Sequence, residues 1–338
     1  MQTYAGIDLH SSNNFIGVIN DQDKVLYGKR HTNRLDEVLR ALKPFKDNLQ
    51  GVVVESTFNW YWLVDGLQEH GYPVHLANPS AIQQYEGLKH TDDKWDSYWL
   101  AHMYRLGILP EGYIYPKAHR AVRDLLRRRL LFVRQRTSHI LSLQSMISRN
   151  LGFKMSNNEI KKLKPEDAQE LFDCTNLAFM AHNSIAAKEF LKKIILDIEN
   201  KVKSQVKVRE EFLKLLTIPG IGNILGLTIM LEVGDIGRFP QVGDYSSYCR
   251  CVESKRVSNG KKKGENNKKN GNKYLAWAYV EAAQFCRRYC VKAQSFYQSK
   301  AAKTKSVVAV KALSNKLARA SYYIMRDQVD FDENKLFC

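Results

Sequence analysis

Four carboxylates, Asp8, Glu55, Asp93 and Asp96, stand where a site that cleaves phosphodiesters with two metal ions needs them. Asp8 closes the apolar run Tyr4-Ala5-Gly6-Ile7, and Glu55 closes the β-branched run Val52-Val53-Val54. Such runs read as strands, the second covered on both faces. Asp93 and Asp96 open a segment in which Trp95, Trp99, Leu100, Met103 and Leu106 predict a helix from near Thr91, and a spacing of three puts both acids on one face. Clustered carboxylates are hard oxygen ligands suited to Mg²⁺ or Mn²⁺. Two such ions about 4 Å apart stabilise both the attacking and the leaving oxygen of a phosphoryl displacement. Each acid alone has a plainer reading, as a strand-end residue facing water or a helix-start residue favouring the macrodipole. Four in this order favour a common site. Asp92 competes with Asp93, but only Asp93 has the three-residue spacing to Asp96.

The elements that must position these acids follow from pattern. Two further strands, near residues 15–19 and 25–27, come after the first. A helix then carries Leu35, Val38, Leu39 and Leu42, with Asn33 as its candidate cap. The strand ending at Glu55, a helix near residues 60–67 and a fifth strand at 74–77 complete an RNase H-like order of elements. In that order the first and fourth strands lie side by side, which brings Asp8 to Glu55. This α/β domain is assigned to residues 1–118. Residues 119–208 read as two long amphipathic helices with a loop at roughly 152–180, pairing as a coiled coil or lying in an ordinary bundle. Residues 209–338 form a second, mostly helical domain.

The 338 residues carry a formal charge of +17, which favours a polyanionic partner. The charge is concentrated. Residues 120–136 hold Arg120, Arg123, Arg127, Arg128, Arg129, Arg134 and Arg136 against Asp124 alone, so this helix is expected to lie along a nucleic-acid backbone. A solvated helix face is the plainer alternative. Residues 250–273 hold nine cationic side chains, among them Lys255, Arg256, Lys261, Lys262, Lys263, Lys268 and Lys269, against Glu253 and Glu265. Ser, Asn and Gly fill the gaps, the composition of an exposed loop or hairpin. Before it, Ile218-Pro219-Gly220-Ile221-Gly222 resembles a helix-hairpin-helix turn, whose Gly220 and Gly222 would let backbone approach a phosphate. No signal peptide is expected, and the apolar run 224–231 is too short to span a bilayer. The six cysteines lack framework spacing, which points to a reducing, cytoplasmic setting. A zinc site from Cys249, Cys251, Cys286 and Cys290 departs from the usual spacing.

Together these residues resemble the DEDD insertion-sequence transposases related to the Piv and MooV invertases, described as RNA-guided (bridge-RNA) recombinases. The resemblance covers nearly the whole chain: Gly6-Ile7-Asp8, Val54-Glu55-Ser56, Asp93-Lys94-Trp95-Asp96, Ile218-Pro219-Gly220-Ile221-Gly222, Gly237-Arg238-Phe239, Ser258-Asn259-Gly260 and Gly271-Asn272. It implies a RuvC-like N-terminal domain, a central coiled-coil region and a C-terminal transposase domain. It implies that Asp8, Glu55, Asp93 and Asp96 hold Mg²⁺ or Mn²⁺, and that Ser258 is a nucleophile forming a covalent phosphoserine with DNA. It also implies donor and target DNA and a structured guide RNA as partners, a homo-oligomer (dimer or tetramer), a composite site, and action in a prokaryotic cytoplasm at the nucleoid. One departure is visible. The family has Gly directly after the serine, whereas Asn259 intervenes here, which leaves Ser254 and Ser247 as weaker candidates.

Two other functions compete. A hydrolytic Holliday-junction resolvase would use the four acids alone. A noncatalytic RNA-binding or architectural protein would leave the acids on the surface.

Overall fold

A computed structural model of the protein describes residues 1–82, 92–206, 209–254, 256–265 and 270–337. It divides into two compact units, Met1–Lys117 and Ala118–Cys338.

The first unit contains strands β1 (Thr3–Leu9), β2 (Asn13–Asn20), β3 (Val25–Thr32), β4 (Leu49–Glu55), β5 (Val74–Ala77) and β6 (Glu111–Gly112). They form one sheet in the order β3-β2-β1-β4-β5-β6. β1 runs antiparallel to β2 and parallel to β4, and β4 runs parallel to β5. Helices α1 (Leu35–Leu42), α2 (Tyr61–Glu69), the short α3 (Pro79–Ile82) and α4 (Asp93–Arg105) complete the unit.

Strand alternation decides what each face does. Ala5, Ile7 and Leu9 of β1, with Val52 and Val54 of β4, enter a core shared with Val38 and Leu42 of α1 and Leu63 and Leu67 of α2. The opposite face receives α4, where Val53 packs with Leu100 and Met103. On that face Asp8 stands in line with Gly6, and Glu55 in line with Val53.

A row of glycines lets α4 lie directly on the sheet backbone. Gly6 is paired with Gly17, and Gly17 with Gly28, so the row crosses β1, β2 and β3. A Cβ on Gly6 would fall 1.9 Å from the Ser97 carbonyl oxygen. On Gly28 it would fall 1.9 Å from the Tyr98 hydroxyl, and on Gly17 2.6 Å from Ser97 Oγ. The helix side of this contact is also small, with Ser97 and Ala101 fully buried.

Asn33 does not cap α1. Arg34 precedes the helix without a side-chain cap. The Asn33 amide instead donates to the His10 carbonyl (3.0 Å) and accepts from Asn14 (3.1 Å), because the turn after β3 faces the end of β1. Thr91, near which the sequence begins α4, lies outside the described residues.

The second unit is mainly helical: α5 (Lys117–Leu151), α6 (Asn157–Lys162), α7 (Ala168–Leu171), α8 (Thr175–Gln205), α9 (Glu210–Leu215), α10 (Asn223–Val233), α11 (Val242–Tyr248), and, after a hairpin of β7 (Arg256–Ser258) and β8 (Lys261–Gly264), α12 (Lys273–Tyr289), α13 (Val291–Lys303), α14 (Ser306–Asp327) and α15 (Glu333–Leu336). The two long helices, α5 and α8, run antiparallel. Ile140, Leu143 and Ile147 of α5 share a core with Ala181 and Ile185 near the start of α8, while Leu126 of α5 joins Ile198 and Val202 near its end. The expected loop at 152–180 instead holds α6, α7 and the first turn of α8, because Ile160, Ala168, Phe172 and Ala178 complete that first core. The larger core surrounds α10, whose residues from Leu225 to Val233 are all buried, and takes in α12 and α14. Cys249, Cys251, Cys286 and Cys290 are buried free thiols, and among the described residues no cysteine group converges as a metal ligand set. Among the described residues no helix is long and apolar enough to cross a membrane.

Because the Ser97 carbonyl cannot rotate away from a methyl on Gly6, Gly6→Ala should displace α4 and destabilise the protein by about 3 kcal/mol, at the upper end for overpacking. Gly243→Ala, where nothing lies within 4 Å of the added methyl, is the control and should be near neutral. Denaturant midpoints measure both. Equal midpoints for the two variants would mean that α4 does not depend on this contact.

Candidate active site

The C-terminal ends of the parallel pair β1 and β4 carry Asp8 and Glu55 side by side, and their carboxyls are hydrogen-bonded to each other. The first turn of α4 faces them with Asp93 and Asp96. Asp96 feels the charges of Asp8 and Asp93, and Glu55 feels those of Asp8 and Asp96, so all four acids form one electrostatic cluster. Asp92 takes a different part. It caps α4, its carboxylate accepting from the Trp95 amide at 2.7 Å.

Two further side chains join the acids. His10 Nε2 lies 3.1 Å from Asp8 Oδ2 and 3.1 Å from Asp93 Oδ1. Arg30 of β3 is paired with Asp93 Oδ2. The His10 backbone is held in turn, its carbonyl accepting from Asn33 and from Asn59, each at 3.0 Å. The signal for His10 is present in the sequence, since residue 10 shares strand parity with Asp8. Arg30 has no such local signal. It reaches the site because Asp8 is paired with Phe15 and Phe15 with Arg30, a register that only the folded sheet defines.

Charge crowding sets the protonation. Burial, then the hydrogen bond and charge of Asp8, push Glu55 up to about 7 from an ordinary 4.5. Burial and the neighbouring acids raise Asp8 and Asp96 as well. At Asp93 burial works upward, but His10 and Arg30 outweigh it and hold this carboxyl low. Burial disfavours the charged form of His10, yet Asp8 and Asp93 prevail and raise it.

The donor set fits a divalent cation. Asp8, His10 and Asp93 each offer a ligand atom, all within 4.8 Å of one another. Asp8 Oδ2 is buried and, although close to His10, has no partner in hydrogen-bond geometry among the described residues. A lone pair so placed, among carboxylates that repel one another, is what a cation would satisfy.

The second unit holds the remaining expected residues. Ser258 ends β7 and is paired with Lys261 across a two-residue turn. Asn259 (φ 50°) and Gly260 (φ 70°) both sit in the left-handed region. That is the backbone of a type I′ turn, for which Asn-Gly is the favoured pair. The residue that separates Ser258 from glycine therefore serves the turn. Ser258, Lys261 and Lys263 are exposed. Ser254 lies outside the hairpin and Ser247 lies on α11. For Arg256 and Lys262 the strand backbone alone is described, while Lys255, Lys268 and Lys269 lie outside the described residues.

The Arg-rich face of α5 is largely committed to the protein itself. Arg120 and Arg123 are buried. Arg127 donates Nε (2.6 Å) and Nη2 (2.7 Å) to the buried Glu232 of α10, and Arg129 donates to Glu199 of α8. The expectation of seven phosphate contacts thus narrows to Arg128 and Arg134, which are exposed, and the half-buried Arg136. Gly220 has a similar outcome. With φ at +94°, it lies so close to α12 that a Cβ would meet Ala282 O and Cys286 N, both at 2.6 Å. Its place is close helix packing. Gly222 remains exposed at the start of α10.

Two family models match the sequence: residues 5–150 match a transposase model of the DEDD IS110 type, and residues 213–298 match the model "Transposase IS116/IS110/IS902 family". The chain is also 23% identical over 288 residues to the "Putative transposase y4qE" of Sinorhizobium fredii, a match that covers 83% of this chain and 71% of that one. The DEDD type of the first match goes with use of a divalent metal.

Two outcomes follow from this geometry. Glu55 binds its proton more tightly folded than unfolded, so its own contribution to the stability of the metal-free fold is fully present below pH 4.5 and is lost as pH rises through about 7. Glu55→Gln should therefore raise the melting temperature of the chelator-treated protein at pH 8 and change it little at pH 4. No gain at pH 8 would contradict the crowding. On α5, Arg127→Ala should cost about 3 kcal/mol by leaving buried Glu232 short of its cation, whereas Arg128→Ala with Arg134→Ala should leave stability intact and lower the salt slope of duplex binding by about 0.9 per lost contact. An unchanged slope would remove Arg128 and Arg134 from the DNA contact.

Proposed function

We propose that this chain, a transposase of the IS110 family, moves DNA by metal-dependent phosphoryl transfer in which Asp8, Glu55, Asp93 and Asp96 organise the reacting phosphate and Ser258 is the nucleophile. The observation that carries the reading is the convergence of two strand-end acids and two helix-face acids on one cluster. The strand order, with β1 central and parallel to β4, supports a RuvC-like first domain.

In this reading Asp8, Glu55, Asp93 and Asp96 hold Mg²⁺ or Mn²⁺, which when bound supplies positive charge to the scissile phosphate and the leaving oxygen. Glu55 gives up its proton on loading, so loading strengthens as pH rises through about 7. His10 and Arg30 balance the acids before loading. The Ser258 hydroxyl attacks phosphorus, loses its proton to solvent and forms a P–Oγ bond as the bond to one DNA oxygen breaks. Attack by a DNA hydroxyl then reverses the step on a new strand. The number of phosphodiester bonds is unchanged, which joining requires and hydrolysis does not provide. Lys261 and Lys263, exposed beside Ser258, attract the strand and offset the growing charge. Guidance by a structured RNA, a dimer or tetramer as the working assembly, and a cytoplasmic site of action rest on the family resemblance.

Denaturing gels of stalled reactions test the covalent step. Wild type should give a protease-sensitive protein–DNA adduct, mapped to Ser258 by mass spectrometry. Ser258→Ala should abolish adduct and strand exchange, a loss of at least about 1,000-fold, while duplex binding stays within about twofold. Asp8→Asn should abolish cleavage. Cleavage by Ser258→Ala with free DNA ends would instead establish the hydrolytic resolvase reaction, and an adduct on Ser254 would move the nucleophile there.

A further inference from the structure

The elbow where α12 meets α13 forms an open cavity of about 380 Å³, lined by Arg287, Arg288, Gln294, Tyr297 and Gln298. That volume lies within the usual range of roughly 300–1,000 Å³ for ligand sites. We propose that this elbow binds an unpaired segment of a nucleic-acid strand, a phosphate on the two arginines of the cavity and a base stacked on the exposed Tyr289 that follows them in the chain.

Three observations carry the assignment. First, the arginines are uncommitted. Arg127 and Arg129 of α5 are spent on Glu232 and Glu199, but Arg287 and Arg288 form no ion pair or hydrogen bond among the described residues. Second, Arg287 is held in position without using its donors. Its guanidinium lies over the Tyr297 ring at 4.4 Å, which fixes the plane of the fork and leaves its N–H groups free for a phosphate. Third, Tyr289, which follows Arg288 in the last turn of α12, is 73% exposed, a large ring turned to water outside the cavity lining. Bases stack on such rings once they leave a duplex. Gln294 and Gln298, four apart on α13, share a face and present both donors and acceptors for a base edge. The helix dipole accounts for cations in the last turn of α12. It does not account for an outward tyrosine or for two amides facing them.

The lining of the elbow includes no residue of the serine hairpin, and Arg287 lies about 21 Å along α12 from Lys273 at a rise of 1.5 Å per residue. The proposal stands whether or not Ser258 is the nucleophile.

The test is binding of the full chain to labelled oligo-dT, oligo-rU and duplex DNA by fluorescence anisotropy over a range of salt. Arg287→Gln with Arg288→Gln should weaken single-strand binding at least about tenfold and lower its salt slope by about 1.4, two contacts at about 0.7 each. Tyr289→Ala should weaken single-strand binding about tenfold with the slope unchanged, and Tyr289→Phe should restore it, which a merely structural role for the hydroxyl would not. Loss on oligo-dT, oligo-rU or both supports the site and identifies the strand. Unchanged single-strand affinity and slope, in variants with wild-type melting curves, would overturn it, as would a loss confined to duplex DNA.

Discussion

The contact of α4 with the bare backbone of β1 governs the first unit. Gly6, Gly17 and Gly28 clear the strand side chains from beneath Ser97 and Tyr98, and the small Ser97 and Ala101 allow the same close approach from the helix. Packing at that distance leaves no slack. The first turn of α4 is therefore fixed relative to the strand ends, which holds Asp93 and Asp96 in one cluster with Asp8 and Glu55, as the ion proposed for these four acids would require. Ligand oxygens must lie about 2.0–2.6 Å from their metal. Tolerances of that size come from backbone touching backbone, since long side chains interposed between helix and sheet would let the helix ride at several heights.

The acids brought together this way repel, and the fold contains the reaction to that. His10 and Arg30 balance part of the charge, while Glu55 keeps its proton to about pH 7. His10 is positioned through its backbone by Asn33 and Asn59, so its ring holds its place by means other than the carboxylates it faces. The cluster is thus a destabilised arrangement held by packing, in keeping with the tendency of reactive sites to draw on the stability of their surroundings.

Much of this unit was legible in the sequence because its signals are local. Alternation placed Asp8 and Glu55 at strand ends, and the three-residue spacing placed Asp93 and Asp96 on one helix face. What stayed hidden depends on partners far along the chain. The arginine periodicity of α5 was plain, yet Glu232 and Glu199, which lie 105 and 70 residues from their arginines, decide which cations remain for a ligand. Asn33 had the right type and place for a helix cap, but the end of β1 offered its amide a better partner. Gly220 looked like a phosphate turn because the sequence does not reveal a helix backbone at its Cα. The stretch at 152–180 read as loop since its few apolar residues make sense only against the far half of α5.

The turn of two residues at Asn259 and Gly260 has a consequence for how this chain can change. In a ladder with period two, inserting or deleting one residue between Ser258 and Lys261 would turn one strand over and send the serine and its neighbouring lysine to opposite sides of the ribbon. Side chains around the tip can be exchanged while the backbone keeps its hand, but a change of one residue in its length has to be absorbed by an unpaired residue in the ladder. The hairpin already holds one such irregularity, between Arg256 and Val257, so its strands can take up an odd residue away from the tip and keep Ser258 opposite Lys261.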